Sequence, residues 1–112
     1  MLPFDMRILF DQGTPLPLRT YLAGHLIESA FERGWGTLGN GELLNEAETA
    51  GFDMLVTTDQ NLQYQQNLAS RKIAVLVLST TNWPLIRKHV ELVTAALEQT
   101  TSGSYIQVTI PH

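Results

Sequence analysis

Two short apolar segments of this chain end in the same way, and that shared ending narrows what it can fold into. Met54-Leu55-Val56 runs into Thr57-Thr58 and then Asp59, with Asn61 two places on. Near the amino terminus, Met6-Arg7-Ile8-Leu9-Phe10 ends in Asp11. An apolar run closed by turn-forming polar residues reads as a buried strand that stops where the polarity begins. In a parallel α/β sheet the carboxyl ends of the strands face the crevice where ligands bind. Asp11 and Asp59 are therefore candidate functional carboxylates.

The rest of the chain supplies alternating elements. After Asp11 come Gly13, Pro15 and Pro17, then a short helix with Leu18, Tyr21 and Leu22 on its inner face and Gly24 as its αL cap. His25 to Ala30 reads as a second strand, and Glu32 to Gly41, with four glycines around Trp35, as a loop. Its glycines do not make a phosphate-binding fingerprint, because no buried strand precedes them. A helix starts at Asn40 or Gly41, with Asn40 as a good N-cap, and carries Leu43, Leu44, Ala47 and Ala50 as its apolar stripe until Gly51. A thin-faced polar helix is expected from Asn61 to Leu68. Lys72 to Leu78, the most continuous aliphatic run, is expected to be a central parallel strand. Asn82 caps a long helix with Ile86, Val90, Val93 and Leu97 on one face, and Tyr105 to Ile110 alternates like a half-exposed edge strand. The alternation predicts an α/β fold: one domain over 1–112, a mostly parallel sheet flanked by helices on both faces.

Composition removes several function classes. There is no cysteine among the 112 residues, so neither disulfides nor thiolate metal sites are available. No apolar run approaches the ~20 residues of a membrane span, and the first residues lack the pattern of a signal peptide. A cytoplasmic protein with no membrane partner is expected. Net charge is −4, which argues against non-specific gripping of nucleic acid through many phosphates. Divalent metal held by carboxylates would reverse that local field. No serine sits in G-x-S-x-G, and the three histidines are far apart.

A helix antiparallel to its strands begins at their carboxyl edge, so Glu42, in the first turn after Asn40, joins Asp11 and Asp59 there. Hard cations such as Mg²⁺ or Mn²⁺ take oxygen ligands of this kind, and such a cluster suits attack of water on a phosphodiester. Each residue also has a plainer reading: Asp11 and Asp59 as turn formers, Glu42 as a first-turn glutamate favoured by the helix dipole.

The pieces R-I-L-F-D-Q-G-T-P (Arg7 to Pro15), N-G-E-L-L-N-E-A (Asn40 to Ala47), L-V-T-T-D-Q-N-L (Leu55 to Leu62), I-A-V-L-V-L-S (Ile73 to Ser79) and W-P-L-I-R (Trp83 to Arg87) resemble, in combination and order, a small bacterial branch of the PIN-like domains. The resemblance covers nearly the whole chain from Met6. It implies a ribonuclease dependent on Mg²⁺ or Mn²⁺, with RNA as substrate, and the toxin role of a toxin–antitoxin pair, with an antitoxin protein as partner. It also implies Asp11, Glu42 and Asp59 as catalytic metal ligands, and a homodimer, for which the edge strand at Tyr105 to Ile110 offers a surface. Asn40 stands where relatives often have Asp, and Asn61 near where a further Asp is common. Both can ligate through an amide oxygen but add no charge. The alternative from another class is a non-catalytic PIN-like module that binds a protein partner.

Overall fold

The computed structural model describes residues 6–62 and 68–112. Five strands form one all-parallel sheet: β1 (Arg7–Phe10), β2 (Leu26–Ser29), β3 (Met54–Thr57), β4 (Ala74–Leu78) and β5 (Tyr105–Val108), in the order β2-β1-β3-β4-β5. β1 lies between β2, its successor, and β3. Phe10 pairs with Ser29 on one side and Val56 on the other. The direction of winding therefore reverses between β1 and β3, which makes the carboxyl ends of those two strands the topological switch point of the sheet.

Strand residues alternate between two apolar clusters, as the period of two in an extended chain requires. Ile8, Phe10, Met54, Val56, Ala74, Leu76 and Leu78 share one cluster with Leu18, Leu22, Ile86, Val93 and Leu97. Leu9, Leu55, Val75 and Val77 share the other with Leu43, Leu44, Ala47, Phe52 and Leu62. Both β3 and β4 are buried along their full length, consistent with strands that read as unbroken apolar runs. Each fully buried side chain contributes about 1.5–3 kcal/mol. Truncating one at the centre, Leu76→Ala, is expected to cost about 2–5 kcal/mol once the cavity is included.

The helices depart from the sequence reading in three places. The expected helix after Asp11 is a 3-10 helix over Leu16–Tyr21, with Leu18 and Leu22 donating to carbonyls three residues back, Pro15 and Arg19. Pro17 within the segment and Pro15 at its N-cap leave few amide donors for a segment this short, and short runs of this kind are commonly 3-10. Leu18 and Leu22 are buried as expected, but Tyr21 is 45% exposed and stacks obliquely on Trp83. Next, α1 (Asn40–Thr49) takes Gly39, not Asn40, as its N-cap, which puts Asn40 inside the first turn. Last, the long helix is two: α2 (Trp83–Lys88), capped by Asn82 accepting from the Leu85 amide at 3.2 Å, and α3 (Val90–Glu98). They meet at His89, whose backbone leaves the helical region at φ −127°. Neither glycine nor proline marks this break, so the apolar periodicity reads straight through it. Most of the helix expected over Asn61 to Leu68 lies outside the described residues, although Leu62 at its start is buried.

Candidate functional site

Asp11 leaves the end of β1 and is locked into the turn that follows. Its Oδ1 accepts from the Thr14 amide at 3.1 Å and the Thr14 hydroxyl at 2.7 Å, an arrangement in which Asp organises its own turn. Its own amide donates to the Val56 carbonyl on β3 at 3.1 Å. Gly13 lets the tip approach closely: a Cβ there would lie 2.5 Å from the Thr58 hydroxyl, which would have to move. The turn after β1 is thus packed directly on the exit of β3.

Thr57 makes the link chemical. Its side chain is 1% exposed, and its hydroxyl donates to Asp11 Oδ2 while accepting from the Asp59 amide at 3.1 Å. A buried hydroxyl needs partners, and here both partners belong to the acids on either side of the switch point. Asp59 is fixed further by two donors. Asn40 Nδ2 lies 2.5 Å from its Oδ2, and the Asn61 amide lies 2.9 Å from its Oδ1. The Asn40 contact brings the start of α1 to the carboxyl end of β3, where an antiparallel crossover helix should begin.

Glu42 begins from the same turn but points its carboxylate elsewhere: Oε1 accepts from the Gly39 amide at 3.3 Å, as in a capping box. Gathered by hydrogen bonds are therefore Asp11, Thr57, Asp59, Asn40 and the backbone of Asn61. Among the described residues, no group of three or more His, Asp or Glu side chains is close enough to hold a metal ion. The Ser79-Thr80-Thr81 run, also at a carboxyl strand end, serves local structure. The Ser79 hydroxyl accepts from the Ile110 amide at 2.8 Å and the Thr80 hydroxyl from the Asn82 amide at 3.0 Å.

Sequence reasoning missed Thr14 and Thr57 as partners of Asp11, and Gln60, whose side-chain amide reaches the Leu78 carbonyl at 2.5 Å and ties the β3 exit to β4. A signal for Thr57 was present: a threonine at the last buried position of a strand must find a polar partner, and the nearest chain end in a parallel sheet is that of the neighbouring strand.

Asp11 and Asp59 are the acids that could hold a cation such as Mg²⁺, which one or two carboxylates commonly bind, and all four of their carboxylate oxygens accept hydrogen bonds from the protein's own donors. No protein-family model, curated protein or solved structure matches the chain.

Proposed function

We propose that the chain is a metal-dependent ribonuclease of PIN type, with helices on both faces of its sheet and a cytoplasmic site of action. The observation that carries this reading is the Thr57 hydroxyl bridging Asp11 and Asp59 across the switch point between β1 and β3. Ligands of doubly wound sheets bind at that position, and two acids fixed there by hydrogen bonds from other segments support the reading. The division of helix residues between the two apolar clusters supports the layered arrangement.

In this reading Asp11 and Asp59 hold Mg²⁺ or Mn²⁺, Asn61 and Asn40 add neutral ligands or orient Asp59, and Glu42 swings from Gly39 to complete the set. The ion supplies charge neutralisation and activation of water for phosphodiester hydrolysis. The acidic chain needs that neutralisation before RNA can approach. An antitoxin-like protein as partner and a homodimer accompany the reading as proposals of the same origin.

The capping role of Glu42 favours a second reading, a non-catalytic module that binds a protein partner through the same edge. Calorimetry with Mn²⁺ separates the two. The nuclease reading expects saturable binding by the wild-type chain, loss of it in Asp59→Asn, and Mn²⁺-dependent cleavage of single-stranded RNA. Absence of wild-type binding at millimolar Mn²⁺ leaves the partner-binding module as the better account.

A further inference from the structure

Asn40-Gly41 is the one place in the chain where glycine follows an asparagine; Asn45, Asn61, Asn67 and Asn82 are followed by Glu46, Leu62, Leu68 and Trp83. Such a pair carries a reaction of its own. The backbone nitrogen of Gly41 can attack Cγ of Asn40, closing a five-membered succinimide by a new C–N bond. The Cγ–Nδ2 bond breaks, and the displaced nitrogen leaves as ammonia with the proton of the attacking amide. Water then opens the ring: attack at Cγ gives aspartate, and attack at the former backbone carbonyl gives isoaspartate. No oxidant or reductant enters. Glycine leaves the nucleophile uncrowded, since it has no Cβ.

Where the pair sits in the fold decides whether the reaction runs. Asn40 opens α1 on the N-cap Gly39, and the first bond of the helical ladder runs from the Leu43 amide to the Gly39 carbonyl at 2.8 Å. The Gly41 amide precedes that ladder, among the donors that a helix does not pair internally. Both residues are half-buried, so water reaches the pair. Ring closure takes Asn40 out of the helical conformation, and the end turn of a helix opens at little cost. The backbone by itself gives weak protection.

The side chain supplies the rest. Asn40 Nδ2 donates to Asp59 Oδ2 at 2.5 Å, and the nitrogen so held is the leaving group of the reaction. Asp59 is itself anchored away from α1. Its Oδ1 accepts from the Asn61 amide at 2.9 Å, and its own amide donates to the buried Thr57 hydroxyl at 3.1 Å. While the bond to Asp59 stands, Cγ of Asn40 cannot turn toward the Gly41 nitrogen.

We propose that Asn40-Gly41 is a latent deamidation site and that Asp59, as a positioning residue, holds it closed in the folded chain. The proposal needs no metal and stands apart from the nuclease reading. Reaction at Asn40 exchanges the donor to Asp59 for a carboxylate, so two like charges meet and the tie between α1 and the exit of β3 is lost.

The test follows deamidation and isoaspartate at each asparagine by peptide mass spectrometry, during incubation of the full chain near neutral pH. Folded wild type should react at Asn40 more slowly than the same chain in urea. Losing a hydrogen bond to a charged group shifts an opening equilibrium by about tenfold or more, so Asp59→Ala should react at Asn40 faster by about that factor. Asp59→Asn, which keeps the shape and removes the charge, should fall between the two. Asn82 is the internal control, because its side chain caps α2 and takes no part in this contact; its rate should not change. Gly41→Ala added to Asp59→Ala should remove most of the gain by crowding the nucleophile. Equal rates at Asn40 in the wild type and both Asp59 variants overturn the proposal, as does a wild type that reacts as fast folded as in urea. A rise shared in proportion by Asn82 in both variants assigns the effect to unfolding of the whole chain and overturns it too.

Discussion

Asn40 holds Asp59: its side-chain amide donates to the carboxylate at 2.5 Å, tying the first turn of α1 to the residues that leave β3. The two are 19 residues apart in sequence, and their contact fixes where the helix begins relative to the sheet edge. It also places a neutral donor where a third acid would add charge.

Asn40→Asp should therefore weaken the metal-free protein. The substitution removes a hydrogen bond worth about 1 kcal/mol and sets two carboxylates against each other, which disfavours having both charged. On the proposed metal-dependent function Mn²⁺ should reverse the loss, because a further carboxylate would strengthen the proposed cation site. Thermal melts with EDTA and with Mn²⁺ should show a larger metal-induced rise for the variant than for the wild type. Equal rises would mean that Asn40 and Asp59 do not face a common cation.

Thr57→Val keeps shape and removes the bridging hydroxyl, leaving Asp11 Oδ2 without this donor and the Asp59 amide without an acceptor. A destabilisation of about 1–3 kcal/mol is expected for buried groups left unsatisfied, read as a lower midpoint in urea with an unchanged slope. Thr57→Ser should recover most of it. If the valine variant is as stable as the wild type, the hydroxyl contributes nothing to holding the two segments together.

Asn61→Asp should preserve or raise affinity for Mn²⁺, since it restores a carboxylate beside Asp59 while the Asn61 amide contact to Asp59 Oδ1 comes from the backbone and is retained. Titration calorimetry of the variant against the wild type measures it. A clear fall in affinity would show that a carboxylate at position 61 does not serve the proposed cation site.

At acid pH the turn that follows β2 should loosen. The Arg19 side chain, then the Ser29 amide, hold the Glu32 carboxyl below its ordinary value of 4.5. A group whose pKa falls on folding stabilises the fold fully above its unfolded pKa and ceases to do so as pH drops through the lower folded value. Stability referred to Glu32→Gln should therefore be constant above about pH 5.5 and shrink below 4.5. Parallel melts of the two proteins across that range check the sign. A difference that grows on acidification would contradict it.

Much of the fold was legible because burial writes itself into composition. Ile73 to Leu78 and Met54 to Val56 are aliphatic throughout, since both sides of those strands are covered, and the aspartates that end β1 and β3 stood out against them. Parallelism followed from the alternation of elements, and β5 at the sheet edge from its alternating pattern. What escaped was set by contacts between distant segments or by small energetic margins. Asn40 looked like a cap because asparagine caps well, yet its side chain is spent on Asp59 and Gly39 takes the capping position. The break at His89 has no breaker residue. Glu42 was placed at the right edge by topology, but whether a first-turn carboxylate turns inward or back to its own helix depends on a contact of one bond's strength.

The order β2-β1-β3-β4-β5 also sets when the acids can meet during synthesis. The bond from Thr57 to Asp11 closes a span of 46 residues, and the strand that supplies Thr57 pairs on its far side with β4. A growing chain that has released both aspartates but not Ala74 to Leu78 has β3 as a bare edge, with one flank of hydrogen-bonding groups unpaired. The candidate site thus stands beside an edge of the sheet that stays open until Ala74 to Leu78, which take no part in the site, have been made and paired with β3.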